Sequence, residues 1–257
     1  GPPPFNHRLF GASLYASTIN AEDYDAVTRE QLLDYFKTAY RLSNCTIVVS
    51  GKVTYETTRI LNDLFGKDPI VGEAPPANRF DFGPTAGNEH YIERPEALQS
   101  ALRLGKVSIN RTHEDFPGLQ VLNTILGGYF GSRLMANIRE DKGYTYGIGS
   151  ALVSLKNSGY FFIATEVGVD VCGAALAEVE KEINILKTEL ISEEELALVR
   201  NYMLGSLLGG LENAFSHADK YKNIHSYGLG YDYYERYIQI VKTITPEDLI
   251  KLANTYL

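Results

Sequence analysis

Two extended runs, residues 144–155 and 160–167, flank Lys156-Asn157-Ser158-Gly159, and this arrangement limits the fold more than any other feature of the chain. Four polar and small residues between β-prone runs make a tight turn, so the two runs are predicted to form a hairpin. Strands joined this closely must be antiparallel, because a parallel pair needs a crossover of about a dozen residues or more. A third extended run is expected over 99–109. From about residue 170 the pattern turns helical to about 190. Ser192 with Glu195 then forms a capping box that opens a long helix through Leu196, Val199, Met203 and Leu207. Near the end, Thr245-Pro246-Glu247-Asp248 supplies a cap, a proline at the first helical position and acids at the positive end of the helix dipole. Hairpin-joined strands and helices in runs predict an α+β fold, with an antiparallel sheet carrying helices on one face.

The first part of the chain reads as a smaller piece of the same kind. Thr28 and Gln31 form a capping box ahead of Leu32, Leu33, Phe36 and Tyr40. Residues 44–50, closed by Gly51, are predicted as a buried strand in which Cys45 is a small hydrophobe. Thr54 caps a helix with Ile60, Leu61, Leu64 and Phe65 on its apolar face, and Gly66 ends it. Residues 67–88 hold Pro69, Pro75, Pro76, Pro84, Gly72, Gly83 and Gly87, which marks a linker with Phe80 and Phe82 as its only anchors. Beyond it, 90–93 reads as a strand, and 116–126 and 132–140 read as helices. The helix after Thr28 and the helix after Thr245 echo each other, as two copies of one unit would, the second ending short of its strand. The division expected is therefore 1–66, a linker at 67–88, and 89–257.

Composition excludes several functions. The formal charge is −8, and no basic stripe is present to displace counterions from a nucleic acid. No apolar run reaches the roughly 18 residues of a membrane span. His7, His90, His113, His217 and His225 include no His-x-x-Glu-His or its inverse, the spacing that turns two imidazoles and a carboxylate onto one helix face. Gly127-Gly128 lacks the third glycine and the lysine of a phosphate loop, and no serine sits on a Gly-x-Ser-x-Gly elbow.

The richest stretch is 122–147, LNTILGGYFGSRLMANIREDKGYTYG. A helix stops at Gly127-Gly128 and another presents Ser132, Arg133, Leu134 and Ile138. Arg139 closes that second helix, and Gly143 leads into a strand with Tyr146 near its start. Two readings are open on the residues alone. In one, Arg139 and Tyr146 converge and donate hydrogen bonds to a single carbonyl oxygen, as an oxyanion site does. In the other, the more ordinary one, Arg139 caps the helix end and Tyr146 packs in a sheet.

Leu122, Asn123, Leu126, Gly127, Gly128, Ser132, Arg133, Leu134, Ile138, Arg139, Glu140, Gly143 and Tyr146 fall, in order, where the C-terminal-domain signature of the insulinase/pitrilysin (inverzincin) zinc metallopeptidases has the same residues. The chain thus resembles that family, which includes the processing peptidases and their non-catalytic respiratory-complex core relatives. The resemblance implies a processing-peptidase-like half-domain preceded by the tail of a first, zinc-bearing half. It implies that Arg139 and Tyr146 position the substrate carbonyl and that Gly127, Gly128, Ser132 and Arg133 contribute to substrate binding. Zinc would belong to the intact parent protein or to a partner, with no metal ligand in this chain. This polypeptide alone would then not cleave peptides. The implied partners are a peptide substrate and a zinc-bearing half or subunit. A homodimer, or a neighbour's sheet completed by residues 44–50, is expected from an unfilled strand position. A non-catalytic, assembling subunit is the alternative.

Overall fold

The computed structural model describes residues 5–40, 44–66, 83 and 87–257. The expected linker therefore lies largely outside the described residues, as do Phe80 and Phe82.

The chain opens with a short helix, α1 (Phe5–Phe10), and a 3₁₀ turn, Leu14–Ala16. Helices α2 (Ala21–Ala26), α3 (Arg29–Ala39) and α4 (Tyr55–Leu61) follow, the last continued by a π-helical turn, Asn62–Gly66. The caps read from sequence are present. Thr28 accepts from the Gln31 amide at 3.2 Å while its own amide donates to the Gln31 side chain at 2.8 Å, and Thr54 caps α4 through Thr57. Apolar residues of α3 nevertheless remain uncovered, among them Leu32, Leu33 and Phe36. Their spacing prepares a face to be packed, and nothing among the described residues buries it.

Two strand expectations fail here. Residues 44–50 form no ladder: Ile47, Val48 and Val49 are exposed, and so is Cys45, which was expected to be buried. A β-branched run becomes a strand only when another strand takes up its amides and carbonyls, and none among the described residues does so. The second, 90–93, is irregular and exposed for the same reason.

The rest forms one layered unit. Strand β1 (Gln99–Ser108) leads to α5 (Phe116–Asn123), a π-helical turn Thr124–Gly128 and a second π-helical segment, Met135–Asp141. The hairpin strands β2 (Ile148–Ser154) and β3 (Gly159–Gly168) follow. The Leu155 amide closes their turn on the Ser158 carbonyl at 2.8 Å. Helices α6 (Cys172–Thr188), α7 (Glu193–Gly209), α8 (Ala214–His225), α9 (Asp232–Thr243) and α10 (Pro246–Tyr256) complete the chain.

The sheet is antiparallel in the order β1-β3-β2, with Leu104 opposite Ile163 and Ser150 opposite the same residue on the other side. Leu102, Leu104, Phe161, Ile163, Val167 and Ile148 point to one face. There they meet Leu119, Leu122, Leu126, Leu134, Ile138, Val179, Leu196, Val241 and Leu249 from the helices. Burying each large side chain contributes roughly 1.5–3 kcal/mol before the entropy of ordering it. This is the α+β layer arrangement expected from the hairpin.

The opposite face is only partly covered. Phe5 and Phe10 lie against Tyr160, with ring centroids at 6.4 and 5.8 Å, so α1 and the following turn sit on the far end of the sheet. Residues 5–16 therefore pack with the second unit, although in sequence they belong to the first. Gly105 allows this: a Cβ there would lie 2.6 Å from the Phe5 ring. Toward the other end, Ala101, Arg103 and Glu166 are exposed.

Candidate functional site

The site grows out of the segment between the second π-helical turn and β2. The Lys142 amide closes that helix on the Asn137 carbonyl at 2.9 Å, and the Tyr144 amide reaches the Ile138 carbonyl at 3.0 Å. Gly143 has φ of +66°, a left-handed conformation that turns the chain sharply and favours glycine. Tyr146 therefore precedes β2 in the connecting loop and is not on the strand, as the extended pattern of 144–155 had suggested. Thr145 ties this loop down. Its hydroxyl lies 2.7 Å from the Glu166 carbonyl and 3.1 Å from the Gly147 amide, and the Thr165 hydroxyl bonds the Gly147 carbonyl at 3.0 Å. With both its neighbours held to β3, Tyr146 projects outward and is 95% exposed.

Tyr146 stands beside a cavity of about 340 Å³ on the open end of the sheet face, lined also by Gln99, Arg103, Ala164 and Glu166. Arg139 is not among its lining residues. Its guanidinium lies over the exposed Phe130 ring at 4.7 Å and 3.6 Å from Glu140. Among the described residues no hydrogen bond joins Arg139 to Tyr146. Seven positions of sequence thus place one residue in the last turn of a helix and the other on a clamped loop, each with its own surroundings.

Gly127, Gly128, Ser132 and Arg133 are built into the scaffold. A Cβ on Gly127 would fall 2.6 Å from the Ser150 hydroxyl and 2.7 Å from the Ser150 amide nitrogen, so only glycine lets the π-helical turn after α5 approach β2. A Cβ on Gly128 would lie 3.0 Å from the Asn123 side-chain nitrogen. Ser132 is buried, and its hydroxyl has no hydrogen-bond partner among the described residues. Arg133 makes a two-pronged pair with Glu195 on α7, Nε to Oε1 at 2.8 Å and Nη2 to Oε2 at 2.7 Å. The Glu195 carboxylate holds that guanidinium even more firmly protonated than usual, against the opposing effect of burial. Glu195 was expected to close a capping box with Ser192. Only half of that box forms: Ser192 accepts from the Glu195 amide at 3.2 Å, while the carboxylate reaches across to Arg133.

Sequence reasoning passed over Arg103, Gln99 and Glu166. The signal was available: Arg103 stands between Leu102 and Leu104, so period-two alternation turns it away from the core. Its Nη1 donates to the Leu102 carbonyl at 2.8 Å and to the Thr165 carbonyl at 3.2 Å. Among the described residues no group of three histidine, cysteine or carboxylate side chains is placed to hold a metal ion, so the residues described here do not fit a zinc site. No helix among them is long and apolar enough to cross a membrane.

Comparison with known proteins agrees with this architecture. The chain is 28% identical over 187 residues to the uncharacterized zinc protease YmxG of Bacillus subtilis, covering 73% of this chain and 45% of that protein. It is 24% identical over 254 residues to the probable inactive metalloprotease YmfF of the same organism, covering 93% and 56%. The chain thus spans about half the length of these relatives. The crystal structure of a peptidase M16 inactive domain from Pseudomonas fluorescens superposes with a TM-score of 0.81 at 23% identity, covering 98% of this chain and 60% of the other, and so shares its fold. Residues 26–203, well over half of the chain, match the family described as peptidase M16 inactive domain, and the chain belongs to that family.

Proposed function

We propose that this chain is the substrate-gripping, metal-free portion of a zinc endopeptidase. Zinc, held elsewhere in the longer protein or by a partner, would polarise the scissile carbonyl and activate water. The chain's own task is to hold an extended peptide. The observation that carries this reading is Tyr146: a phenol 95% exposed on a loop hydrogen-bonded to β3, at the edge of a cavity on an open sheet face. A large aromatic donor held out by a rigid backbone is prepared to meet a ligand, because ordering it on binding costs little. Arg139, laid on the exposed Phe130 ring, offers a second anchoring point. Gly127, Gly128, Ser132 and Arg133 act from behind, fixing the segment that carries Phe130 and Arg139.

The test is Tyr146→Phe in the full-length protein, assayed by peptide cleavage. Loss of a donor to a developing oxyanion lowers turnover about 10²–10³-fold. Unchanged turnover would remove Tyr146 from the site.

A second reading is a non-catalytic subunit that binds peptide or only assembles. The relative named a probable inactive metalloprotease, matched over 93% of this chain, favours it. A His-x-x-Glu-His motif in the part of the full-length protein outside this chain would decide for the enzyme, and its absence for the subunit.

A further inference from the structure

We propose that the cavity at the outer edge of β2 binds a free α-amino acid with an apolar side chain. This cavity, of about 400 Å³, shares no lining residue with the one beside Tyr146, and the proposal does not rest on the peptide-gripping reading.

Two oxygens in its wall lack donors. Oε1 of Gln120 and Oδ1 of Asn123 are buried without a hydrogen-bond partner among the described residues, and both residues border the cavity. The Asn123 side-chain nitrogen donates to the Ser150 carbonyl at 3.4 Å, which fixes the amide's orientation, since the reverse would set oxygen against oxygen. A buried acceptor with no protein partner is met by water or by a ligand's donor. The strand edge adds to this pair. The Leu155 amide bonds the Ser158 carbonyl across the hairpin, so ladder alternation turns the backbone groups of Ser154, Leu152 and Ser150 away from β3. The Tyr227 hydroxyl donates to the Ser154 carbonyl at 2.6 Å, and Asn123 to that of Ser150. Leu152 borders the cavity, and its outward amide and carbonyl have no partner among the described residues.

Helix α8 supplies the positive charge. Lys220 borders the same cavity and makes no ion pair among the described residues; its ammonium lies 5.7 Å from the centre of the Tyr234 ring. The orphan oxygens sit on α5 and the cation on α8, so a ligand that answers both carries N–H donors and an anion together. A free α-amino acid carries an ammonium and a carboxylate on one carbon. Met203 and the ring of Tyr237 complete the lining and suit an apolar side chain. The volume falls in the range that small ligands occupy, roughly 300–1,000 Å³. A peptide's terminus presents only one of the two charges on a given residue, which separates it from the free amino acid.

The experiment uses this chain and three probes: L-leucine, leucinamide, which lacks the carboxylate, and N-acetyl-leucine, which lacks the ammonium. Binding is measured by isothermal titration calorimetry. Leucine should bind saturably and each analogue about tenfold more weakly or worse, the loss of a charged hydrogen-bonding partner. In Lys220→Met, leucine should lose a similar factor while leucinamide loses nothing, and Lys220→Arg should recover part of the loss. In Gln120→Met, leucine and leucinamide should weaken and N-acetyl-leucine should be spared. Melting curves by circular dichroism establish that each variant is folded, and the comparison of probes on the wild type needs no variant. An analogue bound as tightly as leucine would point to a peptide terminus or a simple amine or acid and would overturn the proposal. So would leucine affinity unchanged in either Lys220→Met or Gln120→Met, or no saturable binding of leucine by the wild type, which would leave water alone on the two oxygens. None of these results bears on Tyr146, so the peptide-gripping reading stands or falls separately.

Discussion

Replacing Arg133 with methionine tests whether the Ser-Arg-Leu stretch is scaffold. Methionine keeps the apolar stem and removes the charge, so Glu195 is left facing a partly buried void. The two side chains are 19% and 29% exposed and joined by two short hydrogen bonds. A fully exposed pair contributes about 0–1 kcal/mol, whereas breaking a fully buried one costs about 3–5 kcal/mol. Three-quarters covered and bidentate, this pair sits between those limits, and the expected cost is about 2 kcal/mol. For a unit of this size that lowers the melting temperature by about 4–8 °C. The assay is urea unfolding followed by circular dichroism, on wild type, Arg133→Met, Glu195→Gln and the double variant. The two single losses should not add, because once Arg133 is gone the carboxylate is a burden that glutamine relieves. The loss should shrink in high salt, though less than for an exposed pair. If Arg133→Met is within about 0.5 kcal/mol of the wild type, the pair is not holding the segment to α7, and Arg133 becomes available for substrate.

Two further outcomes follow from the same packing. Gly127→Ala would drive a methyl to 2.7 Å from the Ser150 backbone nitrogen, and a strand amide cannot step aside; despite alanine's better helix propensity, stability should fall by about 1–3 kcal/mol, and an unchanged or raised urea midpoint would show that the π-helical turn after α5 does not approach β2 this closely. Burial, aided by Tyr233, pushes the Tyr237 phenol up to about 12, above the ordinary value of about 10. Folding therefore favours its neutral form, and this contribution is complete below about pH 10 and lost as the pH climbs toward 12. An ultraviolet phenolate titration should show a late-ionising tyrosine that Tyr237→Phe removes, and ionisation of every tyrosine near pH 10 in the folded chain would contradict the burial.

Much of the fold was legible because its signals are local. Thr28 with Gln31, Thr54 with Thr57, and Thr245 with Asp248 all form reciprocal caps, since the partners lie three residues apart on the same turn. The Lys156–Gly159 turn fixed the antiparallel register of β2 and β3 by itself. The candidate site was legible only in part. Tyr146 was singled out through a family resemblance, but its placement before β2 depends on Thr145 and Thr165, which belong to different elements. Arg103 was passed over because a lone arginine in a strand announces its face and not what lies across it.

Short-range order was written into the chain alone: where helices start, where the hairpin turns, and which residues seek a core. These follow from backbone stereochemistry and from contacts within about four positions. Tertiary structure alone decided that 44–50 joins no strand among the described residues, that Glu195 answers Arg133 and not its own helix cap, and that Tyr146 shares its cavity with Arg103. Each of these depends on which distant group arrives to satisfy a donor, an acceptor or an apolar face. One residue's identity carries no record of a partner dozens of positions away, so only the assembled layers could select it.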